Sequence, residues 1–410
     1  MYNIAIYIYL IGVAVLSMFD KKVRKMWQGE RRAISEVKKR LDPNAKYVWV
    51  HAASLGEFEQ GRPIMEKIKE KHPEMKILLT FFSPSGYEVR KNYEGADIVC
   101  YLPLDTYRNA HRFLNAIHPV SALFIKYEFW YNYLHILKRR NIPVYSVSSI
   151  FRPKQIFFRW YGKHYANVLK CFEHFFVQNE ASKELLHGIG IENVTVTGDT
   201  RFDRVLAIAE QAKDLPLVER FCGGKQTFIA GSSWQPDEEI FIPYLNKRKD
   251  WQLVIAPHVI APSHLEQIER LLSENGRRAV RYSALTEGKA KPEGFDALII
   301  DCFGLLSSIY RYADITYVGG GFGVGIHNLL EAAVWSKPVV FGPNNARFQE
   351  AQDLKACGGG LEITDAPSFA SVMNSLLDKK DYLEECGNSA GGYVKKKAGA
   401  TKAILQALGL

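Results

Sequence analysis

The stretch ITYVGGGFGVGIHNLLE, from Ile315 to Glu331, joins a short apolar run, a glycine-rich turn and a segment with helical spacing. A strand, a turn and a helix in this order are typical of parallel βαβ units. Glycine amides and a helix N-terminus can bind a phosphate, so the stretch predicts a phosphate site with a helix that begins at His327. It matches neither G-x-G-x-x-G nor G-x-x-x-x-G-K-[ST], which disfavours dehydrogenases and P-loop enzymes. A purely structural glycine turn is the alternative.

The same alternation of strands and helices continues on both sides of this stretch. Seven strands are predicted in the first half: Tyr47–His51, Lys76–Phe82, Ile98–Tyr101, Ala122–Ile125, Val144–Val147, Phe175–Val177 and Val194–Thr197. Five are predicted in the second half: Thr227–Ala230, Leu253–Ala256, Ala297–Ile300, Ile315–Val318 and Val339–Phe341. We therefore expect two Rossmann-like α/β domains facing a central cleft, 21–205 and 206–390, and a C-terminal helix, 391–410, that packs back towards the first domain. Ligands in such folds bind at the carboxyl ends of the strands.

The N-terminal run Met1–Phe19 is almost entirely apolar and is followed by the basic residues Lys21, Lys22, Arg24 and Lys25. As a helix it would be about 28 Å long, close to the hydrocarbon thickness of a bilayer. Positive charge after the run and the lack of an A-x-A cleavage site indicate an uncleaved anchor, residues 1–20, with the rest of the chain on the cytoplasmic side. The alternative is a buried first helix of a soluble domain.

The charge of the chain is unevenly distributed. The 410 residues carry a formal net charge of +9, yet residues 1–200 have 29 Lys and Arg against 19 Asp and Glu, and residues 201–410 have 24 against 25. The basic half is either a solvated surface or the side that meets an anionic partner such as a membrane or a phosphorylated lipid. We expect no nucleic acid as partner, since no RNP-like or helix-turn-helix pattern is present.

The chain also lacks the sequence patterns of metal sites. Its six cysteines include no C-x-x-C, and its 11 histidines include no H-E-x-x-H. This spacing argues against zinc ribbons and disulfide scaffolds and fits a reducing compartment. The sequence therefore predicts no metal.

Three candidate catalytic groups follow strands of the first half. Glu57 ends the segment HAASLGE, where it is placed as a general base in the cleft, although Ser54 and Glu57 also fit a capping box. Gly56 allows a substrate to approach closely. Glu128 lies among aromatic residues after the fourth strand, as a cleft-directed acid or as a helix N-terminal acid. Arg201 is a bidentate donor to a phosphate or carboxylate, or it pairs with Asp199 or Asp203.

The second half places its candidates after four strands, which is the expected rim of a nucleotide site. They are Gly231–Trp234, Ala256–His258, Asp301–Leu305 and the Gly319–Gly325 loop with the residues that follow it. Glu331, expected one turn into the helix, is placed to accept hydrogen bonds from ribose hydroxyls.

Taken together, these motifs resemble the 3-deoxy-D-manno-octulosonate (Kdo) transferases of lipopolysaccharide synthesis, over nearly the whole chain. The matching segments, in order, are the N-terminal anchor, the HAASLGE block, Glu128–Trp130, Ser148–Arg152, Gly198–Asp203, Gly319–Glu331, and Lys337 to Pro343. The resemblance implies a GT-B fold, a CMP-Kdo donor, and a lipid A precursor, a phosphorylated acylated disaccharide, as acceptor. It also implies a location at the bacterial inner membrane.

The resemblance assigns roles by matching positions. Glu57 is the proton acceptor, and Glu128 and Arg201 stabilise the transition state; Ser54 and Gly56 are assigned to the acceptor. The donor-binding residues are Pro257, His258, Phe303, Gly304, Leu305, Gly320, Gly321, Asn328, Leu329, Leu330 and Glu331. Many members of the family have Arg at position 258, Lys at 201 and Pro at 329. Lys126 stands where many have an additional acid.

The expected reaction is one direct, inverting displacement without a cofactor, in which Glu57 deprotonates an acceptor hydroxyl and CMP leaves. CMP-Kdo is a substrate in this scheme. Two other interpretations stay open: a membrane-associated GT-B transferase that uses a different nucleotide sugar, and a nucleotide-binding scaffold without turnover.

Overall fold

The computed structural model describes residues 2–274 and 276–410 and forms two compact units. Unit 1 consists of Met1–Arg204 and Ala398–Leu410, and unit 2 of Val205–Lys397. The first division lies one residue before the predicted one, at 205. The segment that returns to unit 1 begins at Ala398 rather than at 391, because Ala390 and Val394 are fully buried within unit 2.

Each unit contains a seven-stranded parallel sheet. The strands of unit 1 are β1 Lys46–Ala52, β2 Met75–Phe81, β3 Ile98–Tyr101, β4 Ser121–Ile125, β5 Val144–Ser149, β6 His174–Val177 and β7 Val194–Val196. Those of unit 2 are β8 Thr227–Ser233, β9 Gln252–Pro257, β10 Ala279–Arg281, β11 Ala297–Ile299, β12 Ile315–Val318, β13 Val339–Phe341 and β14 Gly360–Glu362. The strand orders are β3-β2-β1-β4-β5-β6-β7 and β10-β11-β9-β8-β12-β13-β14. Both strand orders are Rossmann-like, as predicted. In each sheet the strands are added first on one side of the first strand and then on its other side.

All twelve predicted strands are present, and two strands were missed. β10 and β14 are three residues long and lie at the edges of the unit 2 sheet. Each contains only one or two large apolar side chains, so neither produces the apolar run that identified the others.

Helices connect the strands and cover both faces of each sheet. Those before unit 2 are α1 Tyr2–Phe19, α2 Lys21–Arg40, α3 Leu55–Lys71, α4 Pro84–Arg90, α5 Tyr107–Ile117, α6 Tyr131–Arg139, α7 Lys163–Ala166 and α8 Glu180–His187. They are followed by α9 Arg201–Glu210, α10 Pro216–Cys222, α11 Gln235–Leu245, α12 Pro262–Ser273, α13 Tyr282–Thr286 and α14 Leu306–Ile309. The last five are α15 Leu330–Ala333, α16 Gln349–Ala356, α17 Ala366–Asp378, α18 Lys380–Lys397 and α19 Ala400–Leu408.

The alternation of side chains along β1 shows how the unit 1 core is built. Tyr47 and Trp49 belong to one buried cluster, and Val48 and Val50 belong to the other, on the opposite face of the sheet. Successive side chains of a strand point to opposite faces, so a run that is apolar at every position is buried on both sides. The last helix, α19, completes the second cluster with Ile404 and Leu405.

The first helix, α1, is long and apolar enough to cross a membrane and is mostly exposed. It packs against α2, and Asp20 between them caps α2 by accepting hydrogen bonds from the amides of Lys22 and Val23. The segment from 199 to 225, which leads into β8, contains the two helices α9 and α10. The second begins at Pro216, in a position where no amide donor is needed, and Gly223, with φ +55°, caps its end.

Candidate functional site

Glu57 lies in the first turn of α3, directly after β1. The capping box that its spacing also allowed does not form, because the Ser54 hydroxyl donates to the Glu57 carboxylate and makes no cap bond to the helix backbone. The carboxylate is half-buried, and Gly56 beside it is exposed. Apart from the chain neighbours of Gly56, a Cβ built on this residue would meet only the Ser54 hydroxyl, at 3.8 Å, so the backbone beside Glu57 is open to approach.

Glu128 follows the neighbouring strand β4 and is held by two donors. Its Oε2 accepts from Trp130 Nε1 at 2.6 Å and contacts His51 Nε2 at 3.0 Å. Thr80 Oγ1 accepts from Trp49 Nε1 at 2.8 Å and lies 2.8 Å from His51 Nδ1. Trp130 Nε1 also lies 3.1 Å from His51 Nε2, so the imidazole is held through both ring nitrogens, by Thr80 at Nδ1 and by Glu128 and Trp130 at Nε2.

His51 and Thr80 were not assigned a role from the sequence. Both are fully buried, and the contact between them orients an imidazole that touches a candidate catalytic carboxylate. The signal for His51 was present, since it stands near the end of β1 in a run that is otherwise apolar. Thr80 gives no such signal, because a threonine is common in a strand.

Arg201 is the first residue of α9, and Asp199 anchors it. Its Nε donates to Asp199 Oδ2 at 2.9 Å and its amide donates to Oδ1 at 2.9 Å. Gln60 Nε2 of α3 also donates to Oδ2, at 3.0 Å, which links Arg201 to the helix that carries Glu57. Of the two pairings expected for Arg201, that with Asp199 is present, and Asp199 is buried. Asp203 instead accepts from the amides of Gly399 and Thr401 at the start of α19.

Unit 2 has a different arrangement at the carboxyl ends of its strands. Three rings stack there, one from each of three loops: His258 after β9, Trp234 after β8 and His327 after β12. The centroid of the His258 ring lies 4.8 Å from that of the Trp234 ring and 4.3 Å from that of the His327 ring. Trp234 Nε1 donates to His327 Nε2 at 3.0 Å, which requires a neutral imidazole. The pKa of His327 is lowered to about 4, mainly by burial and to a smaller extent by electrostatic repulsion from His258.

Asp237 organises this edge and was missed by the sequence analysis. Its fully buried carboxylate accepts from the Tyr317 hydroxyl at 2.7 Å and from the amides of Trp234 and Gly320, each at 2.9 Å. Burial raises the pKa of Asp237, and its three hydrogen bonds oppose that effect. One carboxylate thus holds the glycine loop to the aromatic stack. Its sequence context, the first turn of a helix, is typical of ordinary capping residues.

The glycines of the loop are required by close packing. A Cβ on Gly319 would lie 2.4 Å from the Ser232 carbonyl oxygen, and one on Gly321 would lie 2.5 Å from Gly342 Cα. Gly320 has φ +93°, which favours glycine. Several loop amides already donate within the protein: those of Gly319, Gly320, Gly323, Gly325 and His327. The predicted phosphate contact is thereby restricted to the remaining loop amides.

Two expectations for the end of this loop are wrong. The helix begins at Leu330 instead of His327 and spans a single turn, so Glu331 is its second residue and does not lie one turn further in. The side chains of Leu329 and Leu330 are fully buried, which limits any contact with a donor to their backbone. Asn328 Nδ2 donates to Glu331 Oε1 at 2.8 Å.

The other predicted donor-binding residues follow β9 and β11. Pro257 is buried at the end of β9, and His258 beside it is exposed. Phe303 is 80% exposed, and Gly304 turns the chain with φ +88° before α14. Within residues 2–274 and 276–410, no group of three or more His, Cys, Asp and Glu side chains is placed to hold a metal ion.

Comparisons with known proteins agree with this architecture. Residues 27–204 match the family model of 3-deoxy-D-manno-octulosonic-acid transferases (kdotransferases). A Rickettsia bellii protein named 3-deoxy-D-manno-octulosonic acid transferase is 26% identical over 384 residues, 92% of this chain and 89% of that protein. A bifunctional glycosyltransferase/methyltransferase of Fusobacterium nucleatum is 27% identical over 360 residues, 83% of this chain. The match spans 54%, about half, of the length of that relative.

Among solved structures, the Neisseria meningitidis UDP-GlcNAc 2-epimerase bound to UDP-GlcNAc has a TM-score of 0.62 and 17% identity, covering 88% of this chain and 99% of that one. At this identity the likeness concerns the fold. Two Rossmann-like units, each with a parallel sheet, form a fold of the GT-B type. Within residues 27–204 the chain is similar to the Kdo transferase family, and relatives that carry the name Kdo transferase are similar to it over most of its length.

Proposed function

We propose that this enzyme transfers Kdo from CMP-Kdo to a hydroxyl of a lipid A precursor of the tetraacyldisaccharide 4'-phosphate type, in lipopolysaccharide biosynthesis. The observation that carries the proposal is the position of Glu57 and its hydrogen bonding. It is a half-buried carboxylate at the carboxyl edge of the sheet that does not cap its own helix, inside the part of the chain that matches the family model. A group in this position is accessible to an acceptor hydroxyl.

In the proposed reaction, Glu57 removes the proton from the acceptor hydroxyl and the oxygen forms a bond with the anomeric carbon of Kdo. The bond from that carbon to the phosphate oxygen breaks in the same step, so CMP leaves as an anion and the configuration is inverted. Glu128, held by His51 and Trp130, and Arg201, held by Asp199, are proposed to stabilise charge in the transition state.

Donor binding is assigned to unit 2. The loop amides left without an internal acceptor are proposed to meet the phosphate of CMP. Glu331 is proposed to accept hydrogen bonds from the ribose, and the stacked rings of His258 and His327 are proposed to line the nucleotide. Phe303, being exposed, can fold over a bound base. We expect no metal in this scheme, and EDTA treatment tests that expectation: loss of activity that Mg²⁺ restores would contradict it.

Membrane attachment at the cytoplasmic face of the inner membrane is proposed through α1. The helix exposes an apolar face that includes Ile4, Ile8, Ile11 and Phe19, each at least 65% exposed. The acyl chains of a lipid A precursor lie in the same membrane, so attachment would bring the enzyme to its acceptor.

The decisive experiment incubates the purified full-length chain with CMP-Kdo and the lipid A precursor and measures the product mass. An increase by whole Kdo units supports the proposal. A parallel panel with UDP-GlcNAc and other nucleotide sugars tests the alternative donor, and transfer from one of those with no transfer from CMP-Kdo would overturn the assignment.

A further inference from the structure

A cavity of about 880 Å³ lies in unit 1 between α1, α2 and the start of α5, away from the predicted catalytic groups. We call it the α1–α2 cavity. Its wall includes Leu10 of α1, Trp27 of α2 and Leu104 in the loop after β3. None of Ser54, Glu57, Glu128 and Arg201 lines it. Its volume is in the range of natural small-ligand sites.

Four basic side chains line this cavity: Arg31, Lys38, Lys39 and Arg112. All four are exposed, and in the described part of the chain none forms an ion pair with a carboxylate. Pairing is the usual way in which a protein lowers the repulsion between neighbouring cations. Arg31 lies over the Trp27 ring, 5.6 Å from its centroid, which leaves its charge in place. Four cations without a carboxylate partner around one concave surface therefore produce a positive potential that attracts an anion.

The one acid in the wall does not cancel this charge. Glu30 is only 5% exposed, and its Oε1 has no hydrogen-bond partner among the described residues. Burial raises the pKa of Glu30 to about 8, which keeps the carboxyl group neutral near pH 7. The wall is thus more basic than its composition suggests.

The position of α1 relates the cavity to the lipid surface. Unit 1 holds α1 near its start, where the Tyr2 hydroxyl donates to Asp105 at 2.7 Å and Asn132 Nδ2 donates to the Asn3 side chain at 2.8 Å. Further along, Val13 and Ser17 are buried. A helix held along its length does not extend away from the unit, so in the proposed membrane attachment its exposed apolar face would lie flat in the interface. The cavity opens beside that helix, which in this arrangement would bring it to the lipid headgroups.

We propose that the α1–α2 cavity binds the phosphate-bearing headgroup of an anionic membrane phospholipid. The inference rests on the membrane attachment in the proposed function and adds a lipid site that is separate from the predicted acceptor site. The apolar wall residues Leu10 and Trp27 suit the upper part of the acyl chains, and the four cations suit the phosphate.

The test measures binding of the full chain to vesicles of phosphatidylcholine alone and of phosphatidylcholine mixed with phosphatidylglycerol, at one fixed salt concentration. The variant Lys38→Gln/Arg112→Gln removes one charge from each side of the cavity. The control Lys395→Gln/Lys396→Gln removes the same charge from the exposed end of α18 in unit 2. A third variant, Ser35→Trp, fills the cavity without changing the charge. Inorganic phosphate is added as a competitor.

We expect the affinity gained from phosphatidylglycerol to fall at least about tenfold in the charge variant and in Ser35→Trp, and to persist in the control and in the presence of phosphate. Full retention of the gain in Ser35→Trp would show that surface charge alone attracts the lipid, which overturns the proposal. An equal loss in the control, or displacement by inorganic phosphate, would also overturn it. Binding to phosphatidylcholine without a gain contradicts only this inference, whereas failure to bind any vesicle contradicts the proposed membrane attachment as well.

Discussion

The carboxyl edges of the two sheets share a topology but differ in chemistry. The edge of unit 1 presents the carboxylates Glu57 and Glu128, and the buried His51 contacts the second of them. The edge of unit 2 presents stacked aromatic rings and a glycine loop held by the buried Asp237. One edge is suited to move a proton, and the other is suited to hold an anion by close backbone approach. In the proposed function, the same fold thus separates reaction from binding.

The largest effect is expected from a substitution that changes only the carboxyl edge of unit 1. Glu57→Gln keeps the size of the side chain and removes the base, so turnover should fall by about 10²–10⁴-fold, the usual contribution of a general base. Product mass and single-turnover rates measure this, and calorimetry should find CMP-Kdo affinity unchanged. The matched control is Glu70→Gln, an exposed position on the same helix that pairs with Lys67. An equal loss of donor affinity would mean that the two edges do not divide their tasks in this way.

The second largest effect is expected from a substitution at the carboxyl edge of unit 2, in the glycine loop. Gly321→Ala should weaken donor binding by roughly 1–3 kcal/mol, because the new methyl group would lie 2.5 Å from Gly342 Cα and would displace the loop. Gly323→Ala is the control, since a Cβ there has no neighbour within 4 Å. Titration of both variants with CMP checks this, and equal affinities would remove the loop from the donor site.

A smaller effect is expected from removing the hydrogen bond between the stacked rings of Trp234 and His327. Trp234→Phe removes the donor to His327 Nε2, which costs about 0.5–1.5 kcal/mol. The loss of that donor should also raise the pKa of His327 towards its ordinary value, because Nε2 then becomes free to bind a proton. NMR titration of the imidazole measures the change. Trp335→Phe serves as control, since its indole donates to the Ser307 carbonyl oxygen and should leave the titration as in the wild type.

The smallest effect concerns pH. His327 has a pKa of about 4 in the folded chain, below its ordinary 6.5, so the unfolded chain binds more protons between these values. Its contribution to the free energy of unfolding is complete above the unfolded pKa and is lost as the pH falls towards 4. Thermal unfolding near pH 7 and near pH 5 should show a decrease in stability that is smaller in His327→Gln. An identical decrease in both proteins would assign the pH dependence to other groups.

The sequence was sufficient for the fold because strands buried on both faces are continuous apolar runs, and each of the twelve such runs forms a strand. It was insufficient where apolar residues fill the core without regular structure. Ile326 and Leu329 have helical spacing and are buried, but the His327 amide donates to the Gly319 carbonyl oxygen and keeps this segment folded back on the turn. The helix consequently begins three residues late.

The candidate site was predictable in part for a related reason. Position after a strand identified Glu57, Glu128 and His258, since strand ends can be read from apolar periodicity. Asp237 and Thr80 act through contacts with residues that are distant in the sequence, Gly320 and His51. Spacing along one segment contains no information on such contacts. Whether Ser54 and Glu57 form a capping box likewise depended on the direction of the Ser54 side chain, which the sequence does not specify.

The path of the chain between the two units affects how they can be separated. Residues 398–410 belong to unit 1, where Ile404 and Leu405 fill its core and Asp203 binds the start of α19. Unit 2 is therefore an insertion within unit 1, between Arg204 and Ala398. A gene fragment that stops at residue 204 would encode a first unit with an uncovered apolar groove. A short linker from 204 to 398 would restore the missing helix to its groove and give a first unit that can be studied by itself.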